Sequence, residues 1–166
     1  FVQLEMVTPG PANNWASAAA GNVVNNTVFN LSSGASTPTL TADIGRNTVV
    51  TGIYLLGNPP ASGNTVYNLS STHASAAVAV TGIFWHPVFA NKVLERNFVH
   101  SLNIASSDAT ARMLGIGIGG TNGAYIPGNV AASTVRNNMV RLGINNIGAS
   151  ITNGIVIEGI RKDGNT

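Results

Sequence analysis

Six carboxylates are the first residues to ask about chemistry: Glu5, Asp43, Glu95, Asp108, Glu158 and Asp163. Cleavage of a sugar polymer needs two acids facing one bond, or acids holding calcium beside a basic residue. No two of these acids lie within three residues of each other, so any pair must be assembled by the fold. Glu95, followed directly by Arg96, is the best catalytic fragment on offer. The bland reading, solvated or ion-paired acids, fits better, and no catalytic residue is expected.

The histidines are His73, His86 and His100. None has the close spacing of a zinc site, and the absence of cysteine removes thiolate ligands, disulfides and cysteine nucleophiles. No metal and no cofactor are expected. Gly115-Ile116-Gly117-Ile118-Gly119-Gly120 matches a dinucleotide fingerprint in form. That motif works only where a helix N-terminus follows to meet the pyrophosphate. Thr121-Asn122-Gly123-Ala124-Tyr125-Ile126-Pro127 does not start one. The remaining candidate is Ile83-Phe84-Trp85-His86-Pro87-Val88-Phe89, which gathers part of a sparse aromatic set beside a proline. Exposed rings of this kind stack on sugars or anchor a protein. Phe84, Trp85, His86 and Phe89 are therefore the expected ligand-binding residues, with glycans as the partner class. The competing reading buries them.

The elements that would position these groups are announced by a repeat. Asn26-Thr27-Val28-Phe29-Asn30-Leu31-Ser32-Ser33 returns as Asn64-Thr65-Val66-Tyr67-Asn68-Leu69-Ser70-Ser71, with looser copies at Asn97 and Asn138. The copies start at 26, 64, 97 and 138, in steps of 38, 33 and 41 residues. Each is followed by a Gly-Ile pair in an apolar run: Gly52-Ile53, Gly82-Ile83, Gly115-Ile116 and Gly159-Ile160. Regular motifs at irregular spacing belong to stacked units whose loops vary. Val28, Leu31, Val66, Leu69, Val99, Leu102, Val140 and Leu142 are the expected core. His100 is expected to stand where Asn30 and Asn68 stand and to point outward. Asn47-Thr48-Val49 echoes the motif as well, which leaves a coil of about 20 residues open beside one of 30 to 40.

Composition agrees with a β solenoid. Charged residues are 8% of the chain, against roughly 25% in an ordinary domain. Asn, Ser, Thr and Gly take their place, residues of turns and poor helix formers. The net charge is +2 and the basic residues are scattered, which excludes the basic stripe of a nucleic-acid binder. No apolar run reaches the length of a membrane helix. Residues 1–21 do not repeat and are expected to form a lead-in loop, with 22–166 as one repeat domain. Phe1-Val2-Gln3-Leu4 reads like the middle of a strand, so a fragment of a longer product is expected.

The fold expected is all-β, a right-handed parallel β-helix; a β-propeller fragment and a β-sandwich are the other architectures open. Successive turns stack about 4.8 Å apart, so Asn26, Asn64, Asn97 and Asn138 are expected to form a ladder of amide hydrogen bonds. The motif of residues 64–71, the run Val80-Thr81-Gly82-Ile83-Phe84-Trp85 and the segment 136–144 together resemble secreted right-handed parallel β-helix proteins of Bacteroidetes-type bacteria. The resemblance covers about residues 22 to 161. It implies an extracellular or cell-surface address and a structural role without catalysis. Partners would then be other copies of the chain or neighbouring coils of a longer one. A carbohydrate-binding or adhesion module and a polysaccharide lyase or hydrolase are the alternatives.

Overall fold

A computed structural model describes residues 22–36, 48–56, 60–87, 90–119 and 132–162. The expected lead-in loop, 1–21, lies outside them, as does Phe89. The described residues form thirteen strands and no helix: β1 (Val23–Val24), β2 (Thr27–Ser33), β3 (Val50–Leu56), β4 (Ala61–Ser62), β5 (Thr65–Ser71), β6 (Ala79–His86), β7 (Val93–Glu95), β8 (Phe98–His100), β9 (Asn103–Ile104), β10 (Arg112–Ile118), β11 (Thr134–Arg136), β12 (Met139–Arg141) and β13 (Val156–Lys162).

The strands are dealt into three sheets in rotation. One sheet runs β1-β4-β7-β11, the second β2-β5-β8-β12 with β9 also on β5, and the third β3-β6-β10-β13. Every strand pairing is parallel. Each passage through the three sheets makes one coil, and the next coil starts beside it. Val23 sits beside Ala61, Ala61 beside Leu94, and Leu94 beside Val135. A coil is therefore a full repeat of 38, 33 or 41 residues. The shorter period is excluded. Asn47 itself lies outside the described residues, but Val49 already bonds to Ala79 in the third sheet, ahead of β3. The echo marks a different wall of the same coil.

Local chemistry explains the path. Between the first and second sheets the chain bends through one left-handed residue, at Asn25, Gly63, Arg96 and Asn137, with φ of 56°, 67°, 54° and 54°. Asparagine and glycine adopt this conformation at least cost. A ladder asparagine follows each time. Inside, the repeat stacks like on like. Ile53, Ile83 and Ile116 share one register, Val66 and Val99 another, and Leu55, Trp85 and Ile118 a third. All are buried. Of the expected core, Val66, Leu69, Val99 and Leu102 are buried, and Val28, Leu31, Val140 and Leu142 pack against them at the two end coils.

The Gly-Ile pairs set the width of the interior. A Cβ on Gly52, Gly82 or Gly115 would run into the side chain of Val66, Val99 or Val140 across the core. It would also stand 2.7, 2.6 or 2.5 Å from the carbonyl oxygen of the next glycine in the column. The third sheet thus approaches the second so closely that only glycine fits. The isoleucines that follow these three, Ile53, Ile83 and Ile116, turn back into the core.

Candidate functional site

Among the described residues the asparagine column carries a continuous chain of buried polar contacts. The Oδ1 of Asn64 accepts from both the backbone N–H and the Nδ2 of Asn26, each at 2.9 Å. Asn97 Oδ1 accepts the same pair from Asn64 at 3.0 and 2.9 Å. Asn138 Oδ1 accepts it from Asn97 at 3.0 and 2.9 Å. The second amide hydrogen of each lower rung goes to backbone: Asn64 to Val23 O at 2.8 Å, Asn97 to Ala61 O at 3.2 Å, Asn138 to Leu94 O at 2.9 Å. Asn64 and Asn97 are fully buried. Their donors and acceptors are used within the stack, which leaves them nothing to offer a ligand.

Burial corrects the aromatic site expected at Phe84, Trp85 and His86. Trp85 is completely enclosed in the core between Leu55 and Ile118. Phe84 points to the outer side of the third sheet, yet it too is buried. Its ring stacks on Tyr54 with centroids 5.0 Å apart, and Leu114 packs against it. His86 is also buried. None of the three rings presents a face to a sugar.

A different ring column does reach solvent. Phe29, Tyr67 and His100 share one register on the second sheet. They stack with centroids 5.1 and 5.0 Å apart and planes within 4°. Arg141 continues the column, and Phe98 stacks on His100 at 4.4 Å. His100 therefore stands in the place of Tyr67, not of Asn68. Ser101 takes the asparagine position, and the backbone shows it: φ is 58° at Asn30, 53° at Asn68 and 55° at Ser101. The signal was available in sequence, because counting from Asn97 puts His100 third after it, as Tyr67 is after Asn64. Stacking occupies both faces of Tyr67, and Phe29, at the end of the column, is 47% exposed.

His100 Nδ1 lies 2.9 Å from the Ser101 hydroxyl, which also accepts from Arg141 Nη2 at 3.3 Å. Burial first, and then the Arg141 guanidinium, hold the imidazole below its usual range. A base with a depressed folded-state pKa gives stability that is present above the unfolded value and lost as pH falls through the folded one. The thermal midpoint should accordingly fall as pH drops below about 6.5. His100→Tyr keeps a ring in the column without the titration. It should flatten this part of the profile, read by melting curves at stepped pH; parallel profiles would refute the assignment.

Among the described residues the acids Glu95, Asp108 and Glu158 do not converge. Glu95 faces Arg136 on the next coil, with Oε2 2.7 Å from Nε. Its sequence neighbour Arg96 occupies the left-handed bend instead. Glu158 stands in line with Leu114, Thr81 and Thr51, and pairs with Arg161 at 3.1 Å and Arg112 at 3.3 Å. Asp108 accepts from the Thr110 hydroxyl at 2.6 Å and then its backbone N–H at 2.7 Å, which hold its carboxyl below the usual range. Glu5, Asp43 and Asp163 lie outside the described residues. Among the described residues no three His, Asp or Glu side chains gather as a metal site, and no helix is long and apolar enough to cross a membrane. Gly115 to Ile118 of the formal dinucleotide motif run inside strand β10.

No protein-family profile matches the chain, and neither does a curated protein or a solved structure. The likeness to secreted β-helix proteins rests on the motifs alone.

Proposed function

We propose that this chain is a non-catalytic structural segment of an extracellular or cell-surface protein, built as a right-handed parallel β-helix. The hand follows from the general behaviour of crossovers between parallel strands, right-handed in about 98% of cases. The observation that carries the structural reading is where the repeated polar groups point. The asparagine amides bond one another and the backbone of the stack. The best catalytic candidate, Glu95, faces an arginine of the next coil where a second acid would have to stand. Such a molecule is a spacer whose repeat serves its own cohesion.

The test is turnover. The chain incubated with acidic and neutral polysaccharides should release no unsaturated or reducing ends above the buffer rate. Release that Glu95→Gln abolishes would replace the structural reading by a lyase or hydrolase. The surface address is read separately, by whether protease added to intact cells of the source removes the protein.

A further inference from the structure

The cations are scattered in sequence, but the coil gathers some of them on one flank. Around the first corner, the first two coils present Val24, Asn25 and Phe29, then Ser62, Gly63 and Tyr67, without a charge. In the next two coils the equivalent positions hold Glu95, Arg96 and His100, then Arg136, Asn137 and Arg141. The acid among them, Glu95, is taken by Arg136 at 2.7 Å. Arg96 and Arg141 are exposed. Arg141 gives one N–H to the Ser101 hydroxyl at 3.3 Å, and among the described residues neither arginine meets an acid. This flank is the side of the stack, so further coils would lengthen it and not cover it.

Arg96 is the least expected of these residues. It holds the left-handed corner, at φ 54°, where Asn25, Gly63 and Asn137 stand in the other coils. That conformation is less favourable for arginine than for asparagine or glycine, and the exposed guanidinium recovers nothing from the fold. Strain kept at a surface cation points to work done outside the chain. Apolar surface lies beside it. Phe98 is two residues on, with its ring stacked on His100 at 4.4 Å. Met139, 62% exposed, follows Phe98 in the same outward column. Guanidinium groups hold carboxylates through paired N–H donors, and the C–H face of a sugar packs on rings and other apolar surface.

We propose that this flank binds a carboxylated polysaccharide, with Arg96 and Arg141 on its carboxylates and Phe98 and Met139 against its sugar rings. Such a surface adds a partner to the structural reading without adding a reaction: the polymer is held and not cut. Nucleic acid is the other polyanion that arginines attract. A duplex carries a charge about every 1.7 Å, and its binding grows with the number of phosphates met. Two uncompensated arginines serve it poorly. A uronic-acid chain sets each carboxylate beside an apolar ring face, which matches a few cations placed among Phe98 and Met139.

Affinity electrophoresis of the chain through gels containing polygalacturonate, alginate or neutral dextran tests this. The wild type should be retarded by at least one of the two uronates and not by dextran. Raising the salt from about 20 to about 300 mM should release it, because exposed charge pairs are screened. Arg96→Asn installs the residue of the first and fourth coils, so its melting curve should be no worse than that of the wild type. It should nevertheless weaken uronate binding about tenfold, the worth of one charge-assisted pair. Arg96→Asn combined with Arg141→Gln should abolish retardation. Lys162→Gln removes the same charge from the third sheet and should bind as the wild type does. A wild type that neither uronate retards overturns the proposal, as does equal retardation by dextran. So does Arg96→Asn that binds undiminished, an equal loss in Lys162→Gln, or tighter binding to duplex DNA than to either uronate. Turnover is read separately. Unsaturated ends released from a retained polymer would remove the non-catalytic reading and leave the surface standing; no retardation and no turnover would do the reverse.

Discussion

Gly82→Ala should cost the fold about 3 kcal/mol or more, the upper range for forcing a methyl into a packed interior. The methyl meets the Val99 side chain and the Gly115 carbonyl together. The valine belongs to a filled core and the carbonyl to a paired strand, so neither retreats without moving its own coil. Gly159→Ala is the matched control. It occupies the same column at the exposed end, where nothing lies within 4 Å, and should change stability by less than about 0.5 kcal/mol. Urea midpoints for the two variants decide the matter. Equal effects would mean that the glycine column reflects strand conformation and not close approach.

Asn97→Ala should be about as damaging, by a different route. It strips the Asn64 backbone N–H of its acceptor and leaves Ala61 O without the Asn97 amide. It also removes one of the two donors to Asn138 Oδ1 and the Asn64 Nδ2 contact. An orphaned buried polar group costs about 1–3 kcal/mol, so a total of about 3–5 kcal/mol is expected from the groups that water cannot reach. Asn26→Ala removes only the outermost rung, whose side chain is exposed, and should cost no more than about 1 kcal/mol. The contrast between the two, in denaturant unfolding, separates a ladder bond from a generic asparagine effect. A loss of similar size at both positions would sink the account.

The repeat made the second sheet readable before any coordinates. Asn and Val recur at fixed offsets there in all four copies and Leu in the first three, and the Asn and Val columns are the ones in the structure. The third sheet was harder, and the reason is physical. Strict alternation predicts which side chain faces in, but Gly82 has none, and the strand turns Val80, Ile83 and Trp85 into the core while Phe84 faces out. Even outward does not mean exposed, because Tyr54 from the coil before and Leu114 from the coil after close over the Phe84 ring. A binding patch inferred from local sequence fails where a neighbour more than 25 residues away supplies the cover. His100 failed for the opposite reason. Matching by polarity sets it against asparagine, whereas the bend of the backbone gives that position to Ser101. A stack brings residues together only at equal register, and at its register Glu95 meets Arg136.

The first corner of the coil is two residues long in all four copies: Asn25-Asn26, Gly63-Asn64, Arg96-Asn97 and Asn137-Asn138. The second corner is not held to one length: β2 ends at Ser33 and β3 starts at Val50, whereas β5 ends at Ser71 and β6 starts at Ala79. Change in this molecule is therefore channelled. The second corner varies in length from coil to coil, while the first keeps two residues in every copy. A lineage of such chains would diversify along the stripe of second corners and stay frozen along the stripe of first ones. Foreign peptides grafted for display belong on the second-corner stripe.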